Sequence, residues 1–367
     1  SESIEDLCEV EYGTRVVRKR DAGTIYLVYG GGGATFSMDT YNREDRMVIA
    51  RFAMSKRCAR FVDGKFFLND SGLTISPLDD NTFDQDFLNY QILSLNDEIY
   101  SLARGTAQKN LNVNAFKKVQ LSYPTSLEEQ KQIVAKLDQC FEAIDKAKAN
   151  AAKNLENAKE LFQSKLNDIF SQKGEGWVEK KLGDAYDVRD GTHDSPKYQD
   201  NGFPLITSKN LKNGLITLDK IKYISEDDYL SINKRSKVDV GDILFAMIGT
   251  IGNPVVVRNE PDFSIKNVAL FKVSKNNDSD FLRYYLEYST KVMRDEAKGT
   301  TQKFVGLGYL RNFTISLPDL DTQKKVVCQL KRLNKQTQSL ESKYQQELNS
   351  LEELKKSILQ KAFEGEL

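Results

Sequence analysis

The residues "ARGTAQK" (103–109) return as "AKGTTQK" (297–303), 194 positions later in a chain of 367. Extended at that offset, "ARGTAQKNLNVNAFKKVQLSYP" (103–124) aligns without a gap to "AKGTTQKFVGLGYLRNFTISLP" (297–318). Beyond Pro124 and Pro318 the offset falls by one, and "EQKQIVAKL" (129–137) meets "TQKKVVCQL" (322–330). Upstream, "CEVEYGT" (8–14) aligns with "YDVRDGT" (186–192) at an offset of 178, so the second unit carries about sixteen extra residues before its Gly-Thr phrase. An internal duplication is the strongest constraint a single sequence can place on a fold, because one structural plan must be built twice. The length has room for two domains or more.

Each unit reads as two parts. The first is mixed and strand-rich. It has short β-branched or aromatic runs broken by Gly, Asn, Asp and Pro: "TIYLVYGGGG", "RMVIARFAM" and "KFFLNDSGLTIS", then "FPLITSKN", "GDILFAMIGTIGNPVVVRN" and "NVALFKV". A short helix is expected before each Gly-Thr phrase, over "FDQDFLNYQILSL" and "SDFLRYYLEYSTKVMRD". The second part is a long helix. Val134, Leu137, Phe141, Ile144, Lys148, Ala151, Leu155, Ala158, Phe162, Lys165 and Ile169 follow alternating steps of three and four. So do Val326, Leu330, Leu333, Thr337, Leu340, Tyr344, Glu347, Leu351, Leu354, Ile358 and Lys361. Sustained heptads predict a coiled coil; the alternative, a helix packed on its own domain, shows a wider stripe at period 3.6. The glycines of "SQKGEGW" are expected to stop the first helix, and the second runs to "AFEGEL".

A duplicated unit pairs most simply through a pseudo-twofold axis, which makes the helices antiparallel and gives a rod of roughly 65–70 Å for about 45 residues. The expected fold class is therefore α+β: two mixed α/β, strand-rich domains (1–124 and 174–318) separated by two helical spacers (125–173 and 319–367).

Several function classes lack their residues. The chain has one histidine, His193, so a His-rich metal cluster is excluded. Its four cysteines are scattered with no Cys-x-x-Cys pair, which suits a reducing cytoplasm and no zinc site. No Asn-Pro-Pro-Tyr or Asp-Pro-Pro-Tyr occurs, and no Gly-Lys-Ser/Thr follows "GGGGATFS", which reads as a tight hairpin or a close backbone approach rather than a phosphate loop. "VEKK" (178–181) holds a nuclease-like Glu-x-Lys, but in a charged stretch such a triplet arises by chance. No apolar run suits a membrane span, and "SESIEDLCEV" does not read as a signal peptide. Net charge is zero, yet it is segregated along the chain: residues 15–65 hold eleven Lys/Arg against five Asp/Glu, and 66–98 hold seven acids and no Lys/Arg.

With these features in this order, the whole chain resembles the specificity (S) subunit of type I restriction–modification enzymes. The marks are "DGTHDSPKY" (190–198), "GDILFAMIGTIGN" (241–253), both Gly-Thr-x-Gln-Lys phrases, "LPDLDTQKKVV" (317–327), the ending "LKKSILQKAFEGEL", and "YGGGGATFSMDTYN" (29–42) opening the first domain. The resemblance implies two target-recognition domains, each reading one half of a split, asymmetric site in double-stranded DNA, with the helices setting the spacing. It implies a non-catalytic chain with no cofactor of its own. Two methyltransferase (M) subunits would carry S-adenosylmethionine, and restriction (R) subunits would use ATP and Mg2+. Other classes remain open: a coiled-coil adaptor whose domains bind protein, or a self-contained methyltransferase or nuclease, which the missing motifs disfavour.

Under that resemblance, candidate DNA contacts can be named. In the first domain they are Arg15, Arg18 and Lys19, and, within "RMVIARFAMSKRCARFVDGK" (46–65), Arg51, Lys56, Arg57, Arg60 and Lys65 beside Arg46. Arginine forks onto guanine edges and lysine mostly meets phosphate; a solvated basic surface is the plainer reading. In the second domain they are Thr192, His193, Lys197, Tyr198, Ser208, Lys209, Asn210, Thr250, Asn253, Lys266 and Asn267, with a locally bonded loop histidine and a packed tyrosine as the plain alternatives for His193 and Tyr198. Gly105, Thr106, Gln108 and Lys109, repeated as Gly299, Thr300, Gln302 and Lys303, are expected at the domain–helix hinge. There they would form a structural turn, touch phosphate, or meet an M subunit. Residues expected in the coiled-coil core are Val134, Leu137, Phe141, Ile144, Leu155, Phe162, Leu330, Leu333, Leu340, Tyr344, Leu351, Leu354 and Ile358.

Overall fold

The structure, a computed structural model, describes residues 1–365. The chain divides into two compact units: Ser1–Lys153 with the end of the chain from Tyr344, and Asn154–Lys343. Five helices of ten residues or more organise them: α1 (Gln85–Ser94), α2 (Leu127–Gln172), α3 (Glu226–Ser236), α4 (Ser279–Asp295) and α5 (Leu320–Glu364). Both long helices contribute a segment to each unit. Among the described residues no helix is long and apolar enough to cross a membrane.

The first unit is built on one six-stranded sheet: β1 (Cys8–Tyr12), β2 (Tyr26–Gly30), β3 (Gly33–Met38), β4 (Arg43–Ala50), β5 (Ala59–Leu68) and β6 (Gly72–Pro77). The spatial order is β1-β6-β4-β5-β2-β3. Only the β2–β5 pair is parallel. "GGGG" is the turn of the β2–β3 hairpin, held by a hydrogen bond from the Gly31 N–H to Ser71 Oγ (3.0 Å). One sheet face carries the main core, in which Met47, Ile49, Leu73 and Ile75 meet Phe87, Leu88 and Ile92 of α1.

The second unit has a four-stranded antiparallel sheet of order β7-β13-β10-β11 (Asp187–Asp190, Val268–Lys272, Ile243–Ala246, Gly252–Val256). Beside it lies a three-stranded sheet of order β9-β8-β12 (Lys222–Ile224, Phe203–Ile206, Ser264–Ile265). Its main core joins Phe245 and Phe271 to Phe281 and Tyr285 of α4, and to Leu166, Phe170, Val327 and Leu330 of the long helices.

The repeated letters have matching jobs. Gln130 and Gln323 are both fully buried one turn into their long helices. Gln130 Oε1 accepts from the Asp84 N–H (2.8 Å), and its Nε2 donates to the carbonyls of Thr82 and Pro124. Gln323 Oε1 accepts from the Asp278 N–H (2.8 Å), and its Nε2 donates to Pro318 O and Asn277 Oδ1. Asp84 and Asp278 in turn cap α1 and α4, each accepting two backbone N–H groups. One buried amide thus locks each long helix to the start of the helix before it.

Inside the first unit the long helices pair antiparallel. Asp145 meets Lys355 (2.9 Å) and Lys148 meets Glu352 (2.5 Å), so three steps forward on α2 match three steps back on α5. Leu137, Phe141, Ile144 and Leu330 are buried. Val134, Leu155, Phe162, Leu333, Tyr344, Leu351 and Ile358 are half-buried.

Two expected seam residues are not in the seam: Leu340 is 36% exposed and Leu354 47%. Leu359 and Ala362 are buried instead, and Lys355 replaces Leu354 with its ammonium 4.7 Å from the Phe141 ring centre. The stem of a lysine can cover apolar surface while its charge stays wet. Lys165 and Ile169 likewise yield to the buried Leu166 and Phe170. A straight α-helix drifts about 20° per heptad, and the end of α2 packs on Trp177, Phe281 and Tyr285 of its own unit as well as on a helix. The first long helix also stops at Gln172, two residues before the first of the expected glycines: Lys173 itself takes the left-handed turn (φ 47°).

Candidate nucleic-acid interface

The Gly-Thr-x-Gln-Lys phrase is a hairpin loop. In the first unit Ala103–Arg104 pairs with Asn110–Leu111 across it. In the second, Lys298 pairs with Phe304. Gly105 and Gly299 have φ of 110° and 102°. A Cβ on either would lie 2.2 or 2.3 Å from the carbonyl oxygen of Gln108 or Gln302, so only glycine fits. The loop's last backbone carbonyl does the same work twice: Lys109 O accepts from the Met54 N–H (2.8 Å) and Lys303 O from the Gly249 N–H (2.9 Å). The phrase therefore docks on a loop of its own sheet rather than at the hinge with the helix, while Thr106, Gln108, Lys109, Thr300, Gln302 and Lys303 remain exposed.

In the second unit that loop borders a concavity of about 1300 Å³. Its walls include Ser208, Lys209, Asn210, Thr250, Asn253, Lys266 and Asn267, all named from the sequence, with Gln302 of the repeated phrase. Lys212, Lys220 and Lys222 complete the rim, giving five lysines against one carboxylate, Asp219. Those three lysines escaped the sequence reading, although "LKNGLITLDKIKYI" shows them in a short stretch with a single acid. Lys220, Asn253 and Asn267 hold φ between 49° and 54°. Left-handed backbone in non-glycine residues gathers where a surface is shaped for a ligand.

The named residues divide by what already occupies them. Asn210 is 4% exposed; its Oδ1 accepts from the Thr207 N–H and hydroxyl, and its Nδ2 donates to Thr217 O. It shapes the wall and has little left to offer a base. Asn253 Nδ2 donates to Leu211 O (3.0 Å), and Ser208 Oγ to Asn267 O (3.3 Å). Lys266 Nζ donates to Asp194 O and Ser195 Oγ. His193 bridges Asp190 Oδ2 and Asn267 Oδ1, both at 2.8 Å, and Arg235 reaches Asp190 Oδ1 at 2.8 Å. Thr192 pairs with Lys266 through the backbone. Together these contacts brace the 190–197 loop against β12. Lys197, Lys209, Thr250 and Tyr198 are exposed, with the Lys222 ammonium 5.7 Å from the Tyr198 ring centre.

The first unit shows the same division. Arg51 stacks on Phe52 and Tyr12 (4.5 and 4.9 Å) and donates to Asp70 O. Arg60 donates to Gly31 O (2.9 Å), pinning the glycine hairpin. The Lys65 ammonium sits 4.7 Å from the Tyr41 ring centre, and the Tyr41 hydroxyl, then Glu44, raise its pKa. Arg15, Arg18, Lys19, Lys56 and Arg57 are exposed. Among the described residues no group of His, Cys, Asp and Glu is arranged to hold a metal.

Two copies of a mixed α/β domain, each locked to a long helix and one carrying a cationic, amide-lined concavity, define a tandem recognition scaffold. The chain belongs to the family of type I restriction modification DNA specificity domains, which it matches over residues 3–154 and again over 174–350. It is 26% identical over 332 residues to the type I restriction enzyme MjaVIII specificity subunit of Methanocaldococcus jannaschii, a match covering 83% of this chain and 76% of that one. It is 27% identical over 292 residues to the EcoBI specificity subunit of Escherichia coli, covering 71% of this chain and 60% of that one. Its fold is similar to a chain from a solved structure on complex assembly and conformational transition of the type I R-M system (TM-score 0.75, 20% identity, 100% of this chain and 97% of that one). It is similar also to the HsdS subunit from Thermoanaerobacter tengcongensis (TM-score 0.62, 19% identity, 100% and 96%).

Proposed function

We propose that this chain is the DNA-recognition subunit of a type I restriction–modification complex, acting in the cytoplasm. Each domain reads one half of a split, asymmetric site, and the paired helices set the distance between the halves. The observation that carries the reading is the concavity of the second unit. Lysines on its rim suit phosphates, and exposed Thr250 and Gln302 offer hydroxyl and amide groups to base edges. Its floor is held by Asn210, Asn253 and the His193–Asp190–Arg235 network, so the reading groups sit on a braced frame.

The chemistry then belongs to partners. Two M subunits bearing S-adenosylmethionine would each take an adenine out of the stack, since a base inside a duplex is out of an enzyme's reach. R subunits would supply the ATP- and Mg2+-dependent nuclease. The two domains differ in length and loop sequence, so the half-sites differ.

An exchange experiment tests this. Residues 177–296 are replaced by the corresponding segment of another family member, and the methylome of a host carrying the complex is sequenced. One half-site should change, with the other half and the gap kept. Two altered halves, or none, would refute the assignment of one half-site to each domain. A purified chain that methylates DNA alone would refute the non-catalytic role.

A further inference from the structure

Apart from Gln302, the two Gly-Thr-x-Gln-Lys loops have no task in the proposed function. Yet of the seven identities between 103–124 and 297–318, five fall inside the repeated phrase. Folding explains some of them. Each glycine is required by its left-handed backbone, and each final carbonyl holds the loop on its own sheet. The lysines have unlike neighbours: the Lys109 ammonium lies 4.5 Å from the Tyr100 ring centre, and Lys303 Nζ donates to Arg294 O (3.3 Å).

The threonines and the loop backbone have no such partners. Among the described residues, the exposed side chains of Thr106 and Thr300 make no hydrogen bond, and neither does any backbone N–H of residues 105–109 or 299–303. Each loop therefore presents five consecutive unpaired donors. A run of backbone N–H groups in a turn forms a concavity for an anion, and a glycine beside it lets an oxyanion approach the chain closely.

The setting is cationic in both units. Residues 103–118 hold four Lys/Arg and no acid, and 297–312 hold three and no acid. The first loop docks on Met54, within "RFAMSKRCAR" (51–60), which has four further cations and no acid. The second borders the concavity whose rim sets five lysines against Asp219. Upstream of the loops, Asp97 is paired with Lys356 (2.5 Å) and Glu296 accepts from the Tyr309 hydroxyl (2.7 Å).

Domains that read different half-sites share only what does not depend on base sequence. On a duplex that is the sugar–phosphate backbone. A phosphodiester accepts hydrogen bonds and never donates, which is what a run of unpaired donors requires. We infer that each loop is a phosphate clamp: its N–H groups and the Thr106 or Thr300 hydroxyl hold a backbone phosphate at the equivalent point of each half-site. The clamp fixes the register of the domain on the duplex and leaves Gln302 free for a base edge. This rests on the proposed function.

The third position of the phrase tests it. That position is Ala107 in one loop and Thr301 in the other, both exposed, so neither fold depends on it. The chain in complex with its methyltransferase subunits is titrated with two probes. One is a duplex carrying the half-sites read from the wild-type methylome; the other is a random-sequence duplex of equal length. Ala107→Lys and Thr301→Lys should each tighten both duplexes and steepen the log–log salt slope by about one. Ala107→Glu and Thr301→Glu should weaken both about tenfold at about 0.15 M salt. Thr106→Ala and Thr300→Ala should weaken both by about five- to tenfold. The ratio of the two affinities, the methylated half-sites and the number of methyltransferase subunits bound should stay as in the wild type. Opposite effects of Lys and Glu at one exposed position cannot both come from misfolding. Lys and Glu variants that bind both duplexes like the wild type overturn the inference. So does a changed half-site, which would make the loop a base reader, or a lost methyltransferase subunit, which would make it a protein contact. A wild-type complex that prefers neither duplex overturns the underlying reading instead.

Discussion

Gln323 offers the sharpest check on how a long helix is tied to its domain. The side chain is 1% exposed and fully bonded: it accepts from the Asp278 N–H at 2.8 Å and donates to Pro318 O at 2.9 Å and Asn277 Oδ1 at 3.2 Å. Gln323→Met keeps length and volume and removes all three bonds. A buried hydrogen bond contributes about 0.5–1.5 kcal/mol net, and a donor or acceptor left unpaired out of water costs about 1–3 kcal/mol. Some of the freed groups will find water at the helix start, so a total near 3 kcal/mol is expected. With a urea slope of about 2 kcal/mol/M, the midpoint should fall by roughly 1.5 M. The chain has a single tryptophan, Trp177, packed on Phe170 and Phe281 of the second unit, so its emission follows the unit that holds Gln323. Gln130→Met should move the Trp177 transition less than Gln323→Met does. A Gln323→Met shift equivalent to less than about 1 kcal/mol would refute the clamp, because even one lost buried bond should cost that much.

Other outcomes follow from the same geometry. Ala53 holds a φ of 49°, and Ala53→Gly should stabilise the first unit by about 0.5–1 kcal/mol in thermal unfolding. Gly299→Ala should cost about 2 kcal/mol or more, through left-handed strain plus the clash with Gln302 O. The Asp280 carboxyl is held below its ordinary value, so its stabilising contribution is present above the unfolded pKa and lost as pH falls through the folded one. Urea melts of wild type and Asp280→Asn should therefore differ by about 1–2 kcal/mol at pH 7 and converge as the pH falls through the lowered pKa of the folded carboxyl. Inserting one heptad in both long helices adds roughly 10 Å, about three base pairs of rise. Methylome sequencing should return the same half-sites with a longer gap, and an unchanged gap would sink the spacing role. Lys220→Ala and Lys222→Ala should each lower the salt slope of DNA binding by about one, whereas Asn210→Ala should lower stability and leave that slope unchanged.

The duplication, the two long helices and the short helices before each Gly-Thr phrase were legible because they rest on period and composition. Each of those signals is local, or is a comparison of the chain with itself. The role of the repeated phrase was legible only as a turn. Its partners, Met54 and Gly249, lie more than fifty residues upstream in both units, and nothing local links them. The binding candidates were half legible. Residue type picked out groups able to meet DNA, but a side chain's capacity is spent by its neighbours, and neighbours are a tertiary fact. Arg51, Arg60, Lys266 and Asn210 looked as free as Lys209 and Lys197 until the fold supplied partners for the first four.

By itself the sequence determined that one plan is built twice, that each copy ends in a long amphipathic helix, and which catalytic apparatus is missing. Only the tertiary structure decided which cations face solvent, that Lys212, Lys220 and Lys222 join the rim of a concavity, and that Lys355 rather than Leu354 covers the seam. Helical period and internal repeats are written in the order of residues along the chain. Exposure, hydrogen-bond saturation and the phase of a helix against its neighbours depend on residues far apart in that order, brought together by the burial of the two cores.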